Sequence, residues 1–301
     1  MTWLYEALGW VLSAIYSLVN NYGVAIILFT IAIKLVLLPL SIKQHKSMAK
    51  MQRVRPLIEY IQKKYKDDQQ RMQQETMKLY KEEGVSPAGG CLPLLLQFPI
   101  LIGLYRVIQR PLTYILGISG SDVNAMKDAV IKHADGFSEA TRKTVTEIDI
   151  FSNIDKIADK LGDSMSDVVE KVSGMNFELF GIDFSGKPEF FGVINILWLI
   201  PLLATVTAYL SSYVTRRMQN MPQTEQQQSS MKTMNLIMPL MSAVFCFMLP
   251  AGVGLYWIMS NVVQIAQTIF LTKIFSRNNE EEEIDAEEYF SKNRVHRKKY
   301  Q

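Results

Sequence analysis

The stretch that decides the fold is Gly23–Leu40, GVAIILFTIAIKLVLLPL, an apolar run with a single charged residue, Lys34. About 20 apolar residues are needed to cross the hydrocarbon core of a bilayer. Two further runs, Phe190–Val214 and Met234–Ile258, contain no charged residue at all. Because apolar and charged residues are segregated in this way, the sequence predicts a membrane protein rather than a cytosolic enzyme.

The overall composition excludes several classes of protein. The chain has 301 residues, of which 49% are apolar and 20% charged, with a net charge of +3. Its two cysteines cannot form a disulfide framework, and its three histidines share no metal-ligand spacing. No glycine-rich phosphate loop and no nucleophile–base pair is present. We therefore predict no metal site, no cofactor and no enzymatic activity.

The predicted fold is an all-α membrane protein with five transmembrane helices. These spans cover 23–40, 92–116, 190–214, 234–249 and 252–274. Five other segments precede, connect or follow them: an interfacial amphipathic helix at 1–22, a helical hairpin at 41–91, a small helical segment at 117–189, a loop at 215–233 and a charged tail at 275–301. Charge blocks of the kind found in this tail typically lack structure.

The charges of the connecting segments predict the orientation in the membrane. Segment 41–90 has eleven Lys or Arg against six Asp or Glu, a net charge of +5, and segment 215–233 has a net charge of +2. Segment 117–188 has eight basic against thirteen acidic residues, a net charge of −5. Basic loops stay in the cytoplasm. We therefore expect the N-terminus outside, the C-terminus inside, and a location in the bacterial plasma membrane.

The hairpin and the 117–189 segment both contain amphipathic stretches. In the hairpin, Pro56 predicts a kink or restart of the first helix, and Asp67–Asp68 separates it from the second. Its apolar stripes include methionines, whose flexible side chains suit varied apolar partners. The hairpin is either a substrate-capture surface or a simple connector. The candidate capture residues of the hairpin are Met48, Met51, Met72 and Met77.

The outer segment, 117–189, also contains amphipathic stretches. Its residues 122–134 and 153–172 each present one apolar face.

Polar residues inside the predicted spans are candidates for a functional site. A lysine at a span centre costs about 2.5–3.5 kcal/mol, so Lys34 either reaches toward the cytoplasmic interface or faces a wet cavity. The remaining polar side chains either form hydrogen bonds between helices or line the same cavity. The candidates are Thr30, Lys34, Gln97, Asn195, Tyr256, Ser260, Asn261 and Gln264.

Several of these residues lie in a stretch that resembles a known family. The region Ile26–Leu104 is similar to the core of the YidC/Oxa/Alb family of membrane protein insertases. The matching residues, from Pro39 to Tyr105, read PLSIKQHKSMAKMQRVRPLIEYIQKKYKDDQQRMQQETMKLYKEEGVSPAGGCLPLLLQFPILIGLY. Within it, GGCLPLLLQFPI is especially specific, and LYWIMSNVVQIAQ, Leu255–Gln267, resembles the family's last span.

The resemblance implies a function that the residues alone do not establish. It implies an insertase and chaperone with a hydrophilic groove open to cytoplasm and lipid, lined by a basic residue that matches Lys34 and a polar residue that matches Thr30. Most bacterial members have arginine at the first of these positions, so bidentate carboxylate binding is not expected here. Tyr256 and Trp257 match a pair along which a substrate helix moves. The implied partners are nascent membrane proteins, lipids and, in addition, the Sec translocon and the ribosome, but not DNA.

Overall fold

The computed structural model describes residues 2–86, 92–188, 194–219, 237, 239–276, 285, 286 and 288–290, with the backbone alone for 92–98, 219 and 276. The chain forms two compact units. The first comprises Met1–Leu35, Gln97–Ala208 and Pro239–Asn261, and the second comprises Val36–Leu96, Tyr209–Met238 and Val262–Gln301. The structure is predominantly helical, in agreement with the coarse prediction of an α-helical membrane protein.

The helices and strands follow in chain order. The helices are α1 Thr2–Val19, α2 Tyr22–Val36, α3 Leu38–Arg53, α4 Arg55–Lys64, α5 Gln69–Glu82, α6 Leu92–Ile108, α7 Pro111–Tyr114, α8 Gly120–His133, α9 Glu147–Ser152, α10 Ile154–Ile157, α11 Ser166–Ser173, α12 Leu199–Gln219, α13 Pro239–Met248 and α14 Ala251–Ser276. Between α11 and α12, β1 Glu178–Leu179 and β2 Ile182–Asp183 form a two-stranded antiparallel ribbon.

Two helices of the described chain are long and apolar enough to span a membrane on their own. They are Ile196–Met218, which includes most of α12, and Ala251–Phe275, which is nearly all of α14. The helices α2 and α3 meet the same criteria as a pair but are bent by 56°. The apolar helices Pro99–Ile108 and Pro239–Met248 are shorter. The five predicted spans thus remain a prediction, with two or three supported by helix length and composition.

The bend between α2 and α3 has a local cause. α2 ends at Val36, four residues before the predicted end of the first span, and α3 begins at Leu38. Pro39 lies in the first turn of α3, where its missing N–H and fixed φ are tolerated. The helix therefore stops and restarts around Leu37 instead of continuing to Leu40.

The first unit is organised around one large core. On α1, Leu8, Leu12 and Tyr16 are buried, whereas Trp3 and Trp10 on the same helix are 70% and 74% exposed. Such an arrangement, with one face packed on the protein and exposed tryptophans on another, is compatible with the predicted interfacial helix. Buried residues of α2, α6, α8 and α14 and of the ribbon region complete the core.

The segment between α7 and α12 differs from a simple helical cap. α8 forms as predicted and is capped by the Ser119 side chain, which accepts a hydrogen bond from the Asp122 N–H. The 153–172 stretch is not one helix. It is divided into α10, two 3₁₀ turns and α11, and Gly162 lies between them with φ = 75°. Its predicted apolar face is nevertheless real, because Ile154, Ile157 and Val172 are buried in the large core.

The second unit contains a separate, small core. We define it by its buried residues Met51, Val54, Leu57, Ile58, Ile61 and Leu79. α3 ends at Arg53 and α4 begins at Arg55 with Pro56 in its first turn, as predicted from that proline. The Asp68 side chain accepts a hydrogen bond from the Arg71 N–H and so caps α5. α4 and α5 pack on each other through this core.

Candidate functional site

Three helices of the first unit approach closely at small residues. A Cβ atom placed on Gly252 of α14 would lie 3.0 Å from Tyr22 Cε1 and 3.2 Å from Ile26 Cδ1 of α2. A Cβ atom on Gly254 would collide with Ile200 of α12. Small residues that permit close helix approach are typical of packing within membranes. The glycines therefore position the polar residues that follow them on α14.

Thr30 lies inside this packing and not on an open surface. Its side chain is fully buried, and its hydroxyl donates a hydrogen bond of 2.7 Å to the Ile26 carbonyl one turn earlier in the same helix. The hydroxyl is thus satisfied within α2, which is the usual arrangement for threonine in an apolar helix. The structure does not present Thr30 as an exposed wall of a groove.

Lys34 lies in the last turn of α2 and is partly buried. A cation at this position interacts favourably with the negative end of the helix dipole. Lys34 is eight residues beyond Ile26, and Ser260, also partly buried, is eight residues beyond Gly252. Eight residues correspond to about 12 Å along a helix axis. The lysine and the serine are therefore equally far along their helices from the α2–α14 contact.

A hydrogen bond joins the polar face of α14 to a neighbouring helix. Asn261 Nδ2 donates to Thr207 Oγ1 of α12 over 3.2 Å. This is the interhelical bond that the sequence left as one of two alternatives for such residues. Tyr256 is almost completely buried, and the Trp257 ring stacks on Phe245 with centroids 6.1 Å apart. The predicted aromatic pair is thus divided between the core and a neighbouring ring.

Asn195 has a different position from the one predicted. The sequence placed it within a span that starts at 190, but the helical residues begin after it. Its side chain accepts a hydrogen bond of 3.0 Å from the Leu197 N–H and caps the turn that leads into α12. This asparagine is exposed and caps the start of the helix instead of lying within it, and its membership of a groove stays a prediction.

The last two candidates in the predicted spans contribute less. Gln97 belongs to α6, and its side chain is outside the described residues. Gln264 lies in the second unit, with Nε2 3.4 Å from Thr268 Oγ1 one turn later. The groove assignment of all these residues stays a prediction, and the partly buried residues Lys34, Trp257, Ser260 and Asn261 with the buried Tyr256 are its candidates on α2 and α14.

The four methionines of the second unit have unequal exposure. Met51 is buried in the small core and Met72 packs against it, so neither is an open contact surface. Met48 is partly buried on α3. Met77 is 50% exposed and lies on an open face of α5. Of the predicted capture residues, Met77 has the most exposed side chain in the described part of the chain. Its neighbours on that face are Gln70, Gln73, Gln74, Lys78 and Lys81.

Two residues that the sequence did not single out fix the helices of the first unit. Tyr22 is fully buried, and its hydroxyl donates to the Ile108 carbonyl of α6 over 2.9 Å. Thr207 accepts the bond from Asn261. A tyrosine at the start of a span is also common at the membrane interface. No sequence signal distinguishes that position from a buried one.

In the part of the chain that the structure describes, no group of three or more His, Cys, Asp or Glu could hold a metal ion. Cys246 is a free, buried cysteine. The candidate site is polar, and Lys34 and Ser260 within it are partly buried.

Comparison with known proteins supplies the family. A family model described as 60Kd inner membrane protein matches residues 14–279. The chain belongs to this family. It is accordingly an inner membrane protein, as the apolar helices α12 and α14 also indicate.

Proteins named membrane protein insertase YidC are similar over most of the chain. The protein of Caldanaerobacter subterraneus is 34% identical over 260 residues, which cover 86% of this chain and 89% of that protein. The protein of Clostridium perfringens is 30% identical over 284 residues, 93% and 92% of the two chains. The protein of Prosthecochloris aestuarii is 31% identical over 274 residues, 90% of this chain but 37% of that longer protein.

Proposed function

We propose that this chain is a membrane protein insertase, which transfers nascent membrane proteins into the bilayer and assists their folding without covalent chemistry. The observation that carries the proposal is the family match over residues 14–279, together with relatives of similar length that are named insertases. The proposed substrates are newly made membrane proteins. The lipid bilayer receives their apolar segments, because transfer of apolar surface out of water drives them there.

The proposed site is a hydrophilic groove in the first unit, with Lys34 as its charge. Lys34 and Ser260 lie equally far along α2 and α14 from the Ile26–Gly252 contact, which supports a shared polar level. A polar substrate tail that crosses bare lipid has to give up its hydrogen bonds to water, at a cost of several kcal/mol. A wet, positively charged groove reduces this cost and attracts an acidic tail. An outside-positive potential adds about 2.3 kcal/mol per negative charge moved outward across 100 mV.

The proposed orientation places segment 117–188 outside and α3–α5 in the cytoplasm. It rests on the net charges of −5 and +5. Single cysteines at Lys143 and Lys66, both exposed, test it in a Cys91→Ser, Cys246→Ala background. A membrane-impermeant maleimide added to intact cells labels position 143 and leaves position 66 unlabelled until lysis. The reverse pattern overturns the orientation.

In this orientation α5 presents Met77 to the cytoplasm, where nascent chains arrive. Segment 41–90 has a net charge of +5, which favours contact with ribosomal RNA or acidic segments. The Sec translocon and the ribosome are proposed partners in this step. Co-purification of the full chain with ribosomes that display a nascent span, compared at low and high salt, tests the ribosome contact. Binding that does not weaken with added salt contradicts this electrostatic origin.

The decisive experiment follows insertion of a single-span substrate with a short acidic N-terminal tail into liposomes. Lys34→Leu is expected to lower insertion at least tenfold, and Lys34→Arg to retain most of it, because the mechanism needs a charge and not a particular shape. Lys43→Leu, which removes an exposed lysine from α3, is the matched control. Equal insertion by Lys34→Leu and the parent overturns the charged groove. A parent that inserts nothing overturns the insertase function.

The Asn261–Thr207 bond favours a second candidate function, that of a membrane scaffold whose polar residues only join helices. Asn261→Leu separates the two functions. In an insertase with its charge at Lys34, this substitution lowers thermal stability more than it lowers insertion per folded molecule. A parent with no insertion activity whose stability depends strongly on Asn261 favours the scaffold.

A further inference from the structure

A short segment far along the chain lies on the small core. Ala286, Tyr289 and Phe290 pack against it, although more than 200 residues separate them from α4 and α5. The Phe290 ring stacks on Tyr60 of α4, with centroids 4.9 Å apart and planes 18° apart. The Tyr289 hydroxyl donates a hydrogen bond of 2.5 Å to Glu83 Oε1, directly after α5. All of these residues belong to the second unit.

The segment has the local geometry of a helical turn. The Tyr289 N–H donates to the Asp285 carbonyl over 2.9 Å, and the Glu288 N–H donates to Asp285 Oδ1 over 3.2 Å. Positions 286, 289 and 290 therefore fall on one face. The sequence predicted an unstructured charged tail here, and this part of the prediction is wrong. The spacing of i, i+3 and i+4 between these apolar residues indicates a helical turn, and a count of the charges in the tail does not detect it.

The chemistry of the segment complements that of its receptor. Seven acidic residues lie within 280–288, directly before the aromatic pair. α4 ends in Lys63 and Lys64, and the Lys64 ammonium lies 5.4 Å from the centre of the same Tyr60 ring that Phe290 covers. An acidic, aromatic helical turn is thus held by an apolar platform with basic residues at its edge. The Tyr60 ring thus contacts both the Phe290 ring and the Lys64 ammonium.

We propose that the face of the small core formed by Tyr60, Glu83 and their neighbours is a peptide-binding surface for short amphipathic segments. Its resident ligand is the chain's own segment 285–290, which nascent substrate segments displace. This inference rests on the proposed insertase function and names the surface on which capture begins.

The contact between segment 285–290 and the small core is small enough for another peptide segment to replace the resident one. Among the described residues, three apolar side chains of the segment pack on the small core, and the Tyr289 hydroxyl donates a hydrogen bond to Glu83. Such a contact is weak between separate molecules but is occupied when the ligand is tethered, because a tether provides an effective concentration near the millimolar range. A longer apolar substrate segment covers more of the platform and therefore replaces the resident turn. The tethered turn meanwhile shields the aromatic surface from unspecific partners.

The first test measures binding of a fluorescent peptide, the apolar segment of a single-span substrate, to the full chain in nanodiscs. The Tyr289→Ala, Phe290→Ala double variant is expected to bind at least fivefold more tightly than the parent, because the competitor is removed. Tyr289→Phe, which removes only the bond to Glu83, is expected to show a smaller gain. A synthetic peptide of 284–290, IDAEEYF, competes with the substrate peptide on the double variant. Phe180→Ala is the control for loss of an aromatic elsewhere.

The second test keeps Phe290 and fixes the segment in place. Cysteines at Glu83 and Tyr289, in a Cys91→Ser, Cys246→Ala background, are bridged by a short bis-maleimide. The bridged protein is expected to bind the substrate peptide at least fivefold less tightly than the same protein capped with N-ethylmaleimide. Equal binding of the bridged and capped forms, or weaker binding by the double variant, overturns the inference.

Different results would contradict the resident ligand and the insertase function. If insertion by the parent is intact but removal of the tail aromatics leaves peptide binding unchanged, the resident ligand is wrong and the insertase function stands. If the parent neither binds the peptide nor inserts the substrate, the proposed function itself is wrong.

Discussion

The two cores of the molecule are built differently. The large core of the first unit joins helices predicted to span the membrane to the α8–β2 region, and polar bonds such as Tyr22–Ile108 are closed inside it. The small core has six buried members among the described residues and is completed by side chains from a distant part of the chain. A large core with internal polar bonds has one arrangement, because each removed partner leaves a buried group unsatisfied. A small core completed by a separate segment has a face that another segment can occupy.

The largest effect is expected from a cavity in the small core. Leu57 is fully buried, so Leu57→Ala is expected to cost about 3 kcal/mol, and few neighbours remain to compensate. Amide hydrogen exchange in α4 and α5 measures this loss, whereas exchange in α8 stays unchanged. Met77→Ala, at a half-exposed position of α5, is the control and should change stability by less than about 0.5 kcal/mol. Unchanged protection of α4 in Leu57→Ala contradicts the idea of a separate small core.

The next effect concerns a buried carboxyl group in the first unit. Glu147, at the start of α9, is 4% exposed and accepts hydrogen bonds from the Thr113 N–H and hydroxyl of α7 at 2.9 and 2.6 Å. Glu147→Ala leaves both donors unpaired and is expected to cost about 2 kcal/mol, measured as thermal stability in detergent. Glu139→Ala, at an exposed position, is the control. Equal stability of these two variants contradicts the role of the bond.

The same carboxyl group predicts a pH dependence with a definite sign. Burial raises the pKa of Glu147 above its usual value, and the bonds from Thr113 oppose this only in part. A carboxyl whose pKa is raised on folding stabilises the protein fully below its unfolded pKa and loses this contribution as the pH rises through the folded value. Glu147→Gln is therefore expected to lose less stability than Glu147→Ala and to flatten the stability profile above about pH 4.3. A steeper profile in Glu147→Gln contradicts the raised pKa.

A smaller loss is expected where α12 and α14 touch. Gly254→Ala introduces a methyl group that collides with Ile200, at an expected cost of about 1.5 kcal/mol. Ile200→Ala combined with Gly254→Ala should recover part of this loss, which a double-mutant cycle measures in nanodiscs. Gly120→Ala is the matched control because the added methyl group there meets open space. Additive effects of the two substitutions contradict the contact.

Particular residues show what the sequence can and cannot predict. Pro56, Asp68 and Ser119 predict or cap helix ends through local chemistry, so their consequences are visible in the chain itself. Asn195 illustrates the limit, because an asparagine near an apolar run suits a helix cap and a buried polar site equally well. The position of Thr30 depends on which face of α2 meets α14, and hydropathy does not contain that information. The docked tail needs a contact over more than 200 residues, which no local pattern specifies.

The smallest predicted effect is a gain in stability, at the tip of the β1–β2 ribbon. The register Glu178–Asp183 and Leu179–Ile182 leaves a two-residue turn, Phe180–Gly181, with φ values of 54° and 73°. Such turns favour Asn-Gly, and a phenylalanine at positive φ is strained. Phe180→Asn is therefore expected to stabilise the detergent-solubilised protein by about 0.5–1 kcal/mol, measured by thermal unfolding.

We expect a bilayer to change the stability gain of Phe180→Asn, because the strained Phe180 lies close to the start of α2. Phe180 is 88% exposed, and its neighbour Leu179 lies against Gly23, where a Cβ atom would be 2.8 Å from Leu179 Cδ2. An aromatic ring at the level of a span's first residues is favourable at the membrane interface. The gain of Phe180→Asn is expected to shrink or reverse in nanodiscs, where the parent ring contacts lipid. An equal gain in detergent and in nanodiscs means that lipid does not offset the strain at Phe180, and it contradicts a contact between this ring and the membrane.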